Sequence, residues 1–294
     1  MVSIVRYMTQ QERINFLLTN RVPRYYLTRA MGWYSRIENR WLTRFSILIW
    51  KVFADDLDLS EAKTTEYKSL RECFIRELKA GARKIDNSEA IVTSPCDAIV
   101  GANGKIDGTT VYQAKGFPYE LSDLIPNKEL QEKYRDGSYV TLRLKSSMYH
   151  RFHAPINCKV EQLTYVSGDT WNVNPVALKR IEKLYCKNER AIVELHTGDE
   201  DSSILMVPVA AILVASMKFH CIEDVLDLKY KGPNRLLCNA HYEKGDEMGY
   251  FQHGSTIILF TTKDYQLHQD VSKGHRIYMG QALFTETEIT LPRI

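Results

Sequence analysis

The chain has 294 residues, 44% of them hydrophobic and 26% charged, with a formal net charge of +3. That composition belongs to a globular protein of one large domain or two small ones, and it excludes collagen-like, low-complexity and disulfide-scaffold chains. The near-neutral balance argues against a strongly cationic nucleic-acid binder. Six dispersed cysteines without a C-x-x-C pair read as reduced, mostly buried thiols.

The N-terminal stretch lacks the long apolar core and cleavage site of a signal peptide. Residues 1–51 hold nine Lys or Arg against two acids, so the remainder is net acidic. Leu27, Met31, Tyr34, Ile37, Trp41, Phe45, Leu48 and Val52 recur at spacings of three and four, which predicts helix with one apolar face. Gly32 is a candidate break between two helices. Two uses of that face stand open: packing on the protein's own core, or lying on an anionic membrane surface, where rings enter the headgroup layer and cations meet lipid phosphates.

Helical texture continues to residue 80. Leu70, Phe74 and Leu78 predict a helix over 67–79, ended by Gly81. From about residue 90 short β-type runs take over, at 90–93, 98–100, 139–144, 159–166, 191–195, 204–214 and 256–261. Asn103-Gly104, Asp107-Gly108, Asp136-Gly137 and Lys231-Gly232-Pro233 mark turns between them. One further helix is predicted over 175–184. The longest uncharged run, 202–217, contains Pro208 and is shorter than the roughly 18 apolar residues a spanning helix needs, so it reads as buried strand. The predicted class is α+β: a helical region over 1–60, then a largely antiparallel β-rich domain over 61–294.

Four segments carry possible chemistry: Ser94 to Ala98, Tyr149 to Pro155, Lys187 to Arg190, and Gly249 to Thr256. His150 and His153 are three apart and would share a helical face, as a zinc pair does. A third ligand at motif spacing is missing, there is no H-E-x-x-H, and Pro155 argues against a continuing helix, so no metal is assigned. Asp97, His153 and Ser255 could form an acid–base–nucleophile set, or be three unrelated residues, since chain order says nothing of proximity. One chemistry favours a Gly-Ser pair ahead of a strand. A serine hydroxyl attacks the carbonyl just before it, and an ester replaces the peptide bond. Gly254 leaves that carbonyl accessible. A histidine suits the base by its pKa, and an acid can orient it. β-Elimination would then break the chain and leave the former serine as an N-terminal pyruvoyl group.

In this order the segments resemble the phosphatidylserine decarboxylase family, nearest its bacterial membrane-associated branch. The resemblance spans Tyr26-Leu27-Thr28-Arg29, Trp41-Leu42-Thr43, Phe74 to Leu78, Arg83 to Asp86, Gln113 to Gly116, Tyr149 to Pro155, Val166 to Asp169, Val173-Asn174, Asn188 to Arg190 and Gly245 to Thr256. It implies self-cleavage between Gly254 and Ser255 into a large β chain and a small α chain, with Ser255 becoming the covalent pyruvoyl cofactor. Asp97 and His153 match the family's self-processing acid and base, and His150 its residue for substrate handling or decarboxylation. The implied reaction takes phosphatidylserine to phosphatidylethanolamine and CO2, the pyruvoyl ketone capturing the substrate amine and drawing electrons as CO2 leaves, without metal or soluble cofactor. The resemblance makes residues 1–60 a docking region, with 1–53 on an anionic membrane surface, and the protein a peripheral one on the cytoplasmic side of the cell membrane. It also implies a homodimer and no nucleic-acid partner. Ala98, Phe117 and His253 depart from the family pattern, where Gly, His and Leu are usual. An amino-acid decarboxylase on the same scaffold and an uncleaved lipid-binding relative are the alternatives.

Overall fold

The structure is a computed structural model that describes residues 23–54, 56–114, 117–198, 203–213, 216–252 and 255–287. Strands and helices are numbered along the chain. An eight-stranded antiparallel sheet runs in the order β12 (Arg235–Tyr242), β7 (Cys158–Val166), β8 (Arg190–His196), β9 (Ser203–Ala210), β14 (Ser255–Thr261), β5 (Ser138–Leu144), β2 (Ala98–Lys105) and β16 (Arg276–Ile277). A second sheet orders β11 (Val225–Asp227), β10 (Ser216–Phe219), β13 (Glu247–Phe251) and β6 (Arg151–His153). A third holds β1 (Ile91–Thr93), β17 (Ala282–Glu286) and β15 (Tyr265–Leu267), and β3 (Thr110–Ala114) pairs with β4 (Phe117–Glu120). The short helices α1 (Arg24–Tyr34), α2 (Arg40–Phe53) and α3 (Leu70–Phe74) precede the sheets; α4 (Leu121–Leu124), α5 (Lys128–Lys133), α6 (Pro175–Leu178) and α7 (Leu184–Lys187) lie between strands. The class is α+β.

Side chains alternate across β14, and both faces are buried. Ile257 and Leu259 join a core with Leu142, Met206 and the Phe152–Phe219–Phe251 cluster of the second sheet, whose rings meet edge-on at 5.2 and 5.3 Å. Ile258 and Phe260 pack on the opposite face with Leu205, Tyr139, Leu124 and Tyr185. Every residue of β14 and β9 is buried, so these are the central strands that the sequence runs imply. Pro208 is tolerated in β9 because the β8 ladder passes it by: pairing goes from Arg190–Val209 to Val193–Met206.

Several boundaries differ from the sequence reading, each for a tertiary reason. The helix expected over 67–79 is only Leu70–Phe74. Beyond it the chain pairs with 61–63 instead, Lys63 N donating to Glu77 O and Lys79 N to Glu61 O, both at 2.9 Å. Gly32 breaks nothing: α1 runs through it, and the interruption falls at 35–39, where the Asn39 side chain caps α2. The helix expected over 175–184 splits into α6 and α7 because Gln113 meets the orphaned groups of both, donating to Leu178 O and Ile181 O and accepting from Leu184 N. β9 stops at Ala210, not 214. Cys73, Cys96 and Cys158 are buried; Cys186, Cys221 and Cys238 are half-buried, and the last two bring their sulfurs to 2.6 Å.

α2 is turned opposite to an ordinary surface helix. Its buried residues are Thr43 and Ser46, while Trp41, Phe45 and Leu48 are 79%, 60% and 62% exposed. Thr43 donates to Lys68 O, and Ser46 both donates to Leu42 O and meets the Tyr34 hydroxyl. Small polar groups thus hold the helix pair to the protein, and the apolar stripe faces outward. Among the described residues no helix is long and apolar enough to cross a membrane.

Candidate active site

Ser255 is the first residue of β14, paired with Leu144 on β5 and Ala210 on β9. It is fully buried, and its hydroxyl makes no hydrogen bond among the described residues. A buried hydroxyl without a partner carries a desolvation cost of about 1–3 kcal/mol, and at this strand terminus no competing bond from the described residues holds it. The neighbouring motif residues support this strand end. Asn188 donates to Ala210 O and Trp171 O, each at 2.9 Å, and accepts from Trp171 N. Arg190 donates to the carbonyls of Leu124, Cys186 and Asn188. Gly254 and His253 lie outside the described residues.

His150 immediately precedes β6 and His153 ends it, on extended chain rather than a helix, so their spacing of three sends the two side chains to different faces. His153 stands opposite Glu247 on β13, and the Phe251 N–H donates to His150 O at 3.0 Å. The chain leaves β13 there and passes through 253–254 to Ser255, so His150 lies beside the strand end that feeds the Gly-Ser pair. His153 lies three residues farther along, roughly 10 Å at strand rise. Gly249 of β13 admits no side chain, since a Cβ there would sit 2.1 Å from Lys218 O.

The imidazole of His153 is held at both nitrogens. Nδ1 lies 2.8 Å from Gly245 O, and Nε2 2.9 Å from the Tyr149 hydroxyl. A carbonyl can only accept, so Nδ1 carries the proton and Nε2 is the basic nitrogen. Gly245 presents that carbonyl from a φ of +94°, a left-handed turn that glycine allows. Burial pulls the His153 pKa below its ordinary value, against the opposing pull of its bond to Gly245 and of Glu247 and Asp97. The ring is therefore a neutral base near pH 7. His150 is fully buried, with Nδ1 2.8 Å from Met148 O and its ring 4.2 Å from that of Phe74. The same argument leaves its Nε2 as the proton-accepting nitrogen.

Asp97 is buried just ahead of β2. Its carboxylate accepts from Arg83 Nε at 2.9 Å and Nη2 at 2.5 Å, and from Met279 N at 3.0 Å. It stays close to His153, whose backbone N–H donates to Pro95 O. Its direct partner, however, is Arg83, itself tied to Glu61. The structure thus sets Asp97 beside His153, one anchored by Arg83 and the other by Tyr149 and Gly245. Among the described residues no group of three or more His, Cys, Asp or Glu is gathered as a metal site.

Ser255 borders a 360 Å³ cavity together with Arg143, Lys145, Asn172, Asn174 and Leu213. Ser146 and Leu213 also border a 350 Å³ apolar groove lined by Met31, Tyr34, Trp50 and Phe74 of the helical region. The Trp50 ring stacks on Phe74 at 5.5 Å, and Phe74 covers His150.

The family model described as phosphatidylserine decarboxylase matches residues 70–285. A phosphatidylserine decarboxylase proenzyme from Brevibacillus brevis is 31% identical over 92% of this chain and 96% of its own length. Those from Histophilus somni and Acinetobacter baylyi are each 33% identical, covering 94% and 90% of this chain and 96% and 93% of theirs. The chain belongs to the phosphatidylserine decarboxylase family.

Within this decarboxylase-family chain, Arg83, Tyr149 and Arg76 are contacts that motif reading quotes without a role. Arg76 donates to Ser147 O at 3.0 Å and so fixes the turn ahead of Tyr149. A buried arginine or tyrosine has to find partners, but no sequence spacing says which. Of the departures from the family pattern, Ala98 is buried at the start of β2 and Phe117 opens β4, half-buried.

Proposed function

We propose that this chain is the precursor of a pyruvoyl-dependent phosphatidylserine decarboxylase. In this reading it cleaves itself between Gly254 and Ser255 and acts at a membrane surface on which residues 1–53 dock, with 1–60 as the helical region and 61–294 as the catalytic domain. His153 Nε2, beside which the Tyr149 hydroxyl stands at 2.9 Å, takes the proton of the Ser255 hydroxyl. The serine oxygen attacks the Gly254 carbonyl carbon, and the C–N bond gives way to an ester. Loss of the Ser255 α-proton expels Gly254 as a carboxylate, and water then releases the former amide nitrogen as ammonia. Asp97, held in place by Arg83, keeps a carboxylate beside His153 whose charge favours the transient imidazolium. The residues fit the resulting group: an unpartnered serine at the first position of a fully buried central strand, open to a cavity along one side. That group supplies a ketone that accepts electrons as CO2 leaves. His150 returns the proton to the substrate α-carbon. β14 keeps its ladders to β5 and β9, so the small chain stays locked in the sheet after cleavage.

The observation that carries a lipid substrate is the apolar groove that adjoins the Ser255 cavity at Ser146 and Leu213. A headgroup in the cavity leaves the glycerol and the start of an acyl chain in the groove between α1, α2 and α3. A soluble amino acid has no use for that groove, nor for an exposed stripe of Trp41, Phe45 and Leu48. The test is intact mass under denaturing conditions on fresh protein, followed by CO2 release from phosphatidylserine vesicles. The expected result is two chains, the smaller beginning at residue 255 and one ammonia lighter than a proteolytic fragment, with CO2 from the lipid and none from free serine. A single full-length chain that releases no CO2 overturns the reading.

A further inference from the structure

Of the arginines gathered around the site, most are engaged. Arg83 holds Asp97 and Glu61, Arg151 holds Glu247, and Arg76 and Arg190 each donate to backbone carbonyls. Arg143 is the exception. It lies on β5, half-buried, opposite Thr256 of β14 and Ile99 of β2. Among the described residues no carboxylate, carbonyl or ring pairs with its guanidinium. It borders the Ser255 cavity, whose described lining includes no acidic residue. The other cation there, Lys145, is already paired with Asp56. A half-buried arginine gives up hydration and needs an anion in return, and the open side of this one is the cavity. Burial lowers its pKa, against a smaller opposing pull from the buried Tyr185 hydroxyl.

We propose that Arg143 anchors the phosphodiester of the substrate headgroup and thereby selects phosphate-bearing serine over free amino acid; this rests on the decarboxylase reading above. The serine headgroup offers two anions. The carboxylate loses its charge as CO2 leaves, so a cation on it would stabilise the ground state more than the transition state and slow the reaction. The phosphodiester keeps its charge throughout, and a contact there adds binding without that cost. The planar guanidinium also matches two phosphate oxygens at once. Alternation sets the Arg143 side chain on the Thr256 face of the sheet and the Ser255 hydroxyl on the other. Residue 255 nevertheless borders the cavity from the strand end, and adjacent strands are only about 4.8 Å apart. One headgroup can touch both.

The test assays processed wild type, Arg143→Gln and Arg143→Lys on glycerophosphoserine and on O-methylserine, which lacks the phosphate. The readout is the ratio of the two kcat/KM values, in which the fraction of processed enzyme cancels. Wild type should favour the phosphate ester. R143Q should lower the ratio about 10- to 100-fold through KM, the size of a lost charge-assisted hydrogen bond, and R143K should fall between. An unchanged ratio in R143Q overturns the anchor and leaves the decarboxylase reading intact. A wild type inactive on both glycerophosphoserine and phosphatidylserine overturns that reading, and the anchor with it. If R143Q does not mature, inhibition of wild type decides. Glycerophosphoethanolamine should bind at least about tenfold tighter than ethanolamine, and equal binding overturns the proposal.

Discussion

The strand β14 and the helix α2 use similar residues to opposite ends. β14 reads Ser-Thr-Ile-Ile-Leu-Phe-Thr and buries every one. α2 carries Trp41, Phe45, Leu48, Val52 and Phe53 and exposes them all, while its Thr43 and Ser46 turn inward. Hydrophobic content therefore does not say where a segment sits; the partners available to it do. β14 has a strand on either side and a core on either face. α2 has polar anchors on one side and, on the other, an apolar stripe that none of the described residues covers. In the proposed function the first arrangement holds reacting groups rigidly, and the second would bring a water-insoluble substrate to them.

The largest effects should come from the rigid region. His153→Ala should slow self-cleavage about 10²- to 10⁴-fold, the usual worth of a positioned base, with Ser255→Ala as the uncleaved reference. Asp97→Asn should slow it as well and also cost about 3 kcal/mol of stability, because it breaks an ion pair in which both partners are buried. Denaturing mass against time and urea midpoints separate the two effects. The pH profile follows from the lowered His153 pKa. The folded ring stays neutral as pH falls through 6.5, where an unfolded histidine takes up a proton. Cleavage of precursor made by cell-free synthesis should hold its rate through pH 6.5 and decline only in stronger acid. By the same linkage the His153 contribution to stability is present above that pH and is lost as pH falls toward the lower folded value. A rate that halves at pH 6.5 would mean that some other group is the base.

The apolar region predicts a smaller, separable effect. Replacing Trp41 and Phe45 by serine should weaken binding to anionic vesicles about 10- to 100-fold in a flotation assay, while the urea midpoint barely moves, since both side chains are largely exposed. A large fall in stability instead would show that the stripe packs on the protein itself.

How much of this was legible in sequence depended on whether the signal was local. The periods of 139–144, 159–166, 191–195 and 256–261 lie within strands of the large sheet, because alternation and turn residues are properties of the chain itself. The α2 stripe was legible too, though not the direction it faces. The helix over 67–79 was lost to backbone pairing with 61–63. The short strands β6, β10 and β13 carry too few residues for any period, yet they place both histidines. Asp97, His153 and Ser255 stood out in the sequence, whereas Arg83 on Asp97 and Tyr149 on His153 are pairings that only the folded chain reveals. Arg143 had no signal at all: an arginine inside a strand run gains meaning only once its neighbours prove to hold no anion.

The smallest expected effect tests whether the two regions communicate. Arg24 of α1 reaches Asp169 at 2.6 Å and lies 3.6 Å over the Trp171 ring, and Thr28 accepts from Leu213 N at 3.1 Å. Both contacts land on segments that frame the Ser255 cavity, since Leu213 and Asn172 border it. Arg24→Ala removes a partly exposed ion pair and a cation–π contact, together worth about 1 kcal/mol. If α1 shapes the cavity as well as the docking face, KM for soluble glycerophosphoserine should rise about two- to fivefold without any vesicle present, and Arg24→Lys should recover only part of it because a lysine lacks the planar stack. If α1 serves docking alone, R24A changes turnover on vesicles and leaves the soluble substrate untouched. The soluble assay decides, because nothing in it depends on a surface, so any change in it has to pass through the protein, from α1 to the Asp169–Trp171 segment or to Leu213.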